Sequence, residues 1–304
     1  MIIKKSISVS ILIFVLMTCL YANDLEDNDL LGKVKSVTEE TFPFVEKFGI
    51  WEKGSLSSKN IYVYDDNGNR IEENWYGDDG SRSSNLYDDK GNQIESSEYV
   101  FDGGYYTYTY VYDDNGNQIE ENTYGDDGSR SSKNIYVYDD NGNQIERNTY
   151  DDDGSLSFKV TYVYDDNGNR IERNWYSGDD GSLLSKNIYV YDDRGNQIEE
   201  NRYYGYGSLD YKYTYVYDDN GNLIERNTYE RSLHHKTTYV YDDNGNLIEE
   251  NGNGLEGILT SKYTYDFDSH GNWIVKTESQ LITKFGKSYL EPKAVTIRTI
   301  TYFP

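Results

Sequence analysis

The feature that most constrains this chain is a repeat. A segment built around Asp-Asn-Gly-Asn recurs nine times, centred on Gly68, Gly91, Gly116, Gly142, Gly168, Gly195, Gly221, Gly245 and Gly271. Successive spacings run from 23 to 27 residues. A period in this range means one small unit stacked on copies of itself, each covering its neighbour's face. Aligned on the glycine, the next residue is Asn and the third after it is Ile in all nine copies, from Ile71 to Ile274. The residue after that Ile is Glu in eight copies, with Val275 the exception. Before the glycine, position three is always Asp. Positions four and six are Tyr in eight copies each, replaced by Phe267 and Asn85, and position five is Val in seven. This alternation of β-branched and aromatic residues is that of half-buried strands. No proline lies between Pro43 and Pro292 to interrupt a ladder.

The turn can be typed. The residue before the glycine is Lys90, Arg194 or His270 in three copies, types that resist the two positive φ angles of a type I′ turn. A type I turn followed by a left-handed Gly needs positive φ only at Gly and fits all nine. That loop predicts a register in which Val137 pairs with Ile145 and Val163 with Ile171. One face would then be Val and Ile, and the other would carry Tyr with Glu opposite. A second turn alternates with the first at Gly80-Ser81, Gly128-Ser129, Gly154-Ser155 and Gly181-Ser182, with a looser copy at Gly207-Ser208. Each repeat is therefore a hairpin of strands about eight residues long. The expected fold is all-β: a repetitive antiparallel hairpin meander of about 18 strands. Strand twist would coil it into a twisted or solenoid-like sheet, the Val/Ile face inward.

The parts follow from this. Residues 1–22 read as a signal peptide: Lys4 and Lys5, an apolar run from Ile7 to Met17, then Ala22 before Asn23. Two processing routes stay open, cleavage after Ala22 or lipidation of Cys19 in Leu16-Met17-Thr18-Cys19. Residues 23–59 form an N-terminal segment with a capping strand at 33–41. Residues 60–278 hold the nine repeats, with an irregular spot expected near 82–106. Residues 279–304 supply a C-terminal capping strand at 294–302. The chain is read as exported: periplasmic, at the outer membrane or cell surface, or secreted.

Composition narrows the partners. The chain has 54 acidic and 29 basic residues, a net charge of −25, and 34 tyrosines. That charge argues against nucleic acid, which needs clustered Lys and Arg, and against a membrane partner other than through an N-terminal lipid. The single Cys excludes a disulfide framework and a Cys-based zinc site.

The recurring Tyr-Asp-x-x-Gly-Asn, as in Tyr138-Asp139-Asp140-Asn141-Gly142-Asn143, resembles the YD-repeat signature of the RHS family over residues ~60–272. The resemblance implies an extracytoplasmic β-stranded protein, with repeats often described as carbohydrate-binding. Large members form shells around a toxic C-terminal domain. This chain is short and its repeats are long, so it looks like a small stand-alone envelope member, and the encapsulating role is not carried over.

The turn carboxylates suit a weak association with Ca2+, but EF-hand spacing is absent and a tight turn wants Asp, Asn and Gly anyway. No cofactor is expected. The Glu column would stand about 9.6 Å apart between hairpins, which any such repeat would give, so it does not argue for catalysis. His234-His235 point to opposite faces of a strand and make a poor metal pair. The lysines nine before each Gly, such as Lys159, read as edge protection. The chain is read as a non-enzymatic binding or structural scaffold, with a divalent-cation (Ca2+)-associated structural surface protein as the alternative and a glycosidase-type enzyme behind both. Its binding candidates are Tyr136, Tyr138, Glu146, Tyr162, Tyr164, Glu172, Tyr189, Tyr191 and Glu199, and its expected partner is an envelope glycan or surface protein. The same tyrosine rows would also stabilise the sheet through cross-strand pairs.

Overall fold

The computed structural model describes residues 30–100, 104–230, 233–254, 257–284 and 286–304. The expected leader, with Cys19, lies outside the described residues. The strands run β1 (Val34–Lys47), β2 (Ile50–Lys53), β3 (Ser58–Tyr64), β4 (Arg70–Gly77), β5 (Arg82–Tyr87), β6 (Gln93–Tyr99) and β7 (Tyr105–Tyr112). They continue with β8 (Gln118–Tyr124), β9 (Arg130–Tyr138), β10 (Gln144–Asp151), β11 (Leu156–Tyr164), β12 (Arg170–Ser177), β13 (Leu183–Tyr191) and β14 (Gln197–Tyr204). The last are β15 (Leu209–Tyr217), β16 (Leu223–Glu230), β17 (Leu233–Tyr241), β18 (Leu247–Gly254), β19 (Gly257–Phe267), β20 (Trp273–Lys284) and β21 (Lys287–Tyr302). No helix occurs among the described residues. In the expected irregular spot, β5 pairs with β6 and β6 with β7 in a continuous ladder, and residues 101–103 lie outside the described residues.

Every strand from β3 to β21 pairs antiparallel with the next, as the hairpin repeat requires. The expected open, coiling sheet is corrected at its ends. β1 pairs with β3 from Ser36↔Val63 to Thr41↔Ser58, and with β21 from Ser36↔Thr301 to Pro43↔Ala294. The two expected capping strands thus pair with each other, and the meander closes into a barrel. With β2 set aside as an offshoot of β1, the ring has 20 strands. Closure removes both bare edges at once, which separate caps would leave half exposed.

The turn expectation holds. In the hairpin of β9 and β10, Gly142 N–H donates to Asp139 O at 3.0 Å and Asp139 N–H to Asn143 O at 2.9 Å. Positive φ falls on Gly142 (83°) and not on Asn141. The Gly-Ser turns repeat the pattern: Gly154 N–H reaches Asp151 O at 3.1 Å.

The expected register does not hold. Tyr138 pairs with Gln144 as the loop dictates, but a bulge follows, and Val137 pairs with Glu146. The same slip sets Val63 opposite Glu72, Val163 opposite Glu172 and Val190 opposite Glu199. Ile145 is the extra residue, left without a partner in the ladder. Residues paired across an antiparallel ladder share a face. Glu146, Glu172 and Glu199 therefore sit with Val, away from Tyr136, Tyr138 and their equivalents.

Nor do the valines and isoleucines form a hidden layer. Val137 is 41% exposed and Ile145 37%; Val111, Val163, Val190, Val216 and Val240 are exposed alike, while Ile171, Ile198 and Ile224 are part-buried. The barrel wall is one sheet thick, so neither face is covered by a second layer. The buried cluster lies at the closing seam, where Leu30, Val34, Val37 and Tyr64 pack with Tyr62, Ile300 and Tyr302.

Candidate functional site

The repeated residues are mostly engaged with one another. In each Asn-Gly turn the Asp collects donors: Asp139 Oδ1 accepts from Asn141 N–H (2.9 Å) and Asn143 N–H (2.8 Å), and Oδ2 from Asn143 Nδ2 (2.9 Å). Asp113 is held the same way, and the Asn117 side chain and backbone keep its carboxyl below the usual range. These oxygens already serve neutral donors, as a turn demands. No group of three His, Cys, Asp or Glu placed to hold a metal ion occurs among the described residues. His234 stacks on Tyr229 with ring centroids 4.6 Å apart, and its Nε2 lies 3.2 Å from Asn227 Oδ1.

The tyrosine four before each Gly is a staple between hairpins. Tyr138 donates its hydroxyl to Gln118 O (2.7 Å), Tyr164 to Gln144 O (2.8 Å) and Tyr191 to Arg170 O (2.9 Å). Tyr112, Tyr217 and Tyr241 repeat the bond; in the last copy, where Phe267 stands four before Gly271, Tyr265 makes it from six before, and Tyr87 donates to Glu73 Oε2 instead. Three of the expected binding tyrosines thus spend their hydroxyls on the neighbouring hairpin's backbone. The tyrosine six before Gly varies more. Tyr136 donates to Glu121 Oε2 at 2.7 Å, and burial, then that carboxylate, pushes its pKa far up. Tyr162 and Tyr189 instead flank the Arg170 guanidinium, 5.6 and 5.0 Å from their ring centroids.

The expected Tyr/Glu binding face is therefore divided between the two sides of the wall. On the valine side six of the eight Glu pair with a Lys of the following strand, among them Glu146 with Lys159, Glu172 with Lys186 (2.5 Å) and Glu199 with Lys212 (2.6 Å); Glu72 and Glu95 have no such pair among the described residues. An Asn two residues on donates to the same carboxylate, as Asn174 Nδ2 does to Glu172 Oε1 at 2.7 Å. Six lysines of the column thus partner the Glu column, and Lys59 pairs with Glu40 of β1 instead.

What departs from the repeat is on the tyrosine side. Five residues after Gly stand Glu73, Glu121, Glu200 and Glu250, but Arg147, Arg173 and Arg226 in three other copies. This brings Arg147 of β10 over Phe158 (5.6 Å) and Arg173 of β12 over Trp175 (5.1 Å); outside that column, Arg170 stands between two tyrosines and Arg202 of β14 lies over Tyr211 of β15 (5.6 Å). Phe158 and Trp175 pack at 5.1 Å. Arg147, Arg170 and Arg173 have no carboxylate within 4.0 Å among the described residues, and their buried Nε atoms lack an acceptor. The signal was present as a broken column at that position, which the reading of the invariant columns passed over.

No family profile and no curated protein matches the chain. Among solved structures it is similar to a porin-like protein from Bacteroides uniformis, with 11% identity, TM-score 0.42 and coverage of 88% of this chain and 98% of that one. A TcdB2-TccC3-Cdc42 structure is 13% identical with TM-score 0.41, covering 89% of this chain and 17% of that one. A porin-like protein from Bacteroides vulgatus is 15% identical with TM-score 0.27, covering 89% and 98%.

Proposed function

We propose that this chain is an exported, non-enzymatic binding scaffold. It would be a small stand-alone relative of YD-repeat proteins whose barrel stands in water and does not span a lipid bilayer. The observation that carries this is charge at mid-strand on both sides of the wall. The valine side holds the Glu–Lys pairs and the tyrosine side holds Arg147, Arg173 and Arg226 among Glu121 and Glu200. A membrane barrel needs an apolar outer band about 25 Å tall, and each Arg or Lys at its midplane costs ~2–4 kcal/mol. The repeat strands, mostly seven to nine residues, are also short of the ~9–11 a tilted spanning strand uses. A large antiparallel barrel still suits an exported or outer-membrane protein, and the leader supports export.

The binding surface is the arginine-aromatic patch of β10 to β14, which replaces the divided Tyr/Glu face. Its guanidiniums suit a polymer carrying carboxylates, and its rings add stacking area. The test is binding to arrays of acidic and neutral glycans with an envelope pull-down, using wild type and Arg147→Glu/Arg173→Glu. Retention of acidic polymers by wild type, falling roughly tenfold in the variant, supports the reading. Blank arrays with a blank pull-down remove it.

A further inference from the structure

The barrel carries one asymmetric device. β1, β20 and β21 have 14, 12 and 16 residues against seven to nine in most repeat strands. Past the Pro43↔Ala294 pair β1 leaves β21 and folds back on β2, from Phe44↔Lys53 to Lys47↔Ile50. β20 and β21 continue as their own hairpin to Lys284↔Lys287. The two hairpins lie side by side, with β2 touching β21. Both project past the rim where the Gly-Ser turns lie, since Thr41 pairs with Ser58 and Ser58 with Gly77.

Their chemistry is unlike the rest of the wall. The tip of the first hairpin is Lys47-Phe48-Gly49-Ile50, a two-residue turn with φ of 54° at Phe48 and 81° at Gly49. Asn or Gly would accept that left-handed conformation at position 48 far more readily than a bulky side chain. The chain uses Asn before Gly in most of its repeat turns, yet here it holds a phenylalanine that is 106% exposed. Ile50 (64%) and the half-exposed Trp51 stand beside it, and Tyr289 and Leu290 are exposed on the neighbouring hairpin. The tripeptide Lys-Phe-Gly recurs in sequence at 284–286. Segments 44–53 and 281–293 contain five Lys (47, 53, 284, 287, 293) and three Glu (46, 52, 291), a net +2 in a chain of −25; Lys47, Lys284 and Lys293 are exposed ion-pair partners of Glu52, Glu291 and Glu278, and Lys53 lies over the Phe42 ring.

We infer that this paired hairpin tip docks the barrel on an anionic lipid surface. Phe48, Ile50 and Trp51 would enter the headgroup boundary with the lysines beside the headgroups. Strained, exposed aromatics have no purpose in water, whereas Trp and Phe with flanking Lys are what an interface accepts. The protrusion also solves a charge problem. The Gly-Ser rim bears Asp78-Asp79, Asp126-Asp127 and Asp179-Asp180, which anionic lipid repels. Four residues of β1 beyond Pro43 hold that rim about 13 Å away, past the ~8 Å screening length of physiological salt. The membrane contact expected from sequence was an N-terminal lipid alone; this one is independent of it and of the glycan reading.

The test uses the chain recovered after export and vesicles of phosphatidylcholine with about one quarter brominated phosphatidylglycerol. Bromine quenches tryptophan only on contact. Wild type is expected to be quenched, Trp51→Tyr to lose most of that quenching, and Phe48→Ser to weaken it roughly tenfold in lipid concentration. Phe48 caps a projecting turn, so an unchanged circular dichroism spectrum is expected for that variant. No quenching in wild type, or equal quenching in Trp51→Tyr, overturns the inference. Lipid-independent self-association of wild type that Phe48→Ser abolishes would assign the tip to a second copy, and overturns it too.

Discussion

Tyr138 shows how a single residue holds this wall together. Its ring lies on one face, and its hydroxyl crosses to the carbonyl of Gln118 in the preceding hairpin. Removing the hydroxyl leaves a part-buried carbonyl without its donor. Tyr138→Phe is expected to lower stability by ~0.5–1.5 kcal/mol in urea unfolding, while glycan binding stays unchanged. The repeated carboxyls and phenols also set the pH range. Asp113, through Asn117, and Glu120, through Lys133 and Asn122, have pKa values lowered in the folded state. A lowered carboxyl contributes stability above its unfolded value near 4, lost as pH falls through the folded value. Burial, with nearby carboxylates, raises Tyr110 and Tyr215 to about 12. A raised phenol contributes stability below its unfolded value near 10, lost as pH rises through the folded one. Thermal melts should therefore be flat from about pH 5 to 9 and fall on both sides, below ~4 and above ~10. A melting temperature that changes steadily between pH 5 and 9 would contradict this.

At the scale of the hairpin, the turn type was legible because Lys90, Arg194 and His270 rule out a second positive φ. The strands were legible from their alternation. The bulge at Ile145 was not, because no residue type announces it. An Ile is equally at home in a regular pair and as the extra residue. What the bulge achieves is visible only across strands: it turns Glu146 to the side where Lys159 stands. That also explains why the Tyr/Glu candidate face came out wrong while each of its residues was a strand residue as expected. The Glu–Lys columns are about a third exposed, so each pair should contribute little by itself. A double-mutant cycle of Glu172→Gln and Lys186→Met is expected to give a coupling of ~0.2–1 kcal/mol. A coupling above about 2 kcal/mol would mean that the pair is far better shielded than its exposure indicates.

For the whole molecule, local periodicity carries no information on whether a long meander closes. Closure depends on whether the first and last strands match each other, and both read in sequence as caps. Side chains tie the first and last strands to each other and to the last repeat turn, beside the ladder itself. Asn272 accepts from Leu31 N–H and donates to Leu31 O, while Tyr302 donates to Asp268. Arg298 donates to Glu39 at 2.6 Å and lies 3.4 Å from the Trp273 ring centroid. The seam tests the central claim most directly. Ser36 Oγ and Thr301 Oγ1 lie 2.6 Å apart across it, although 265 residues separate them in the chain. In a Cys19→Ser background, Ser36→Cys with Thr301→Cys should oxidise to an intramolecular disulfide in nearly every molecule, seen as a faster-migrating band that reductant abolishes. A chain that forms no such bond, or only links between molecules, would show that the hairpin wall is open.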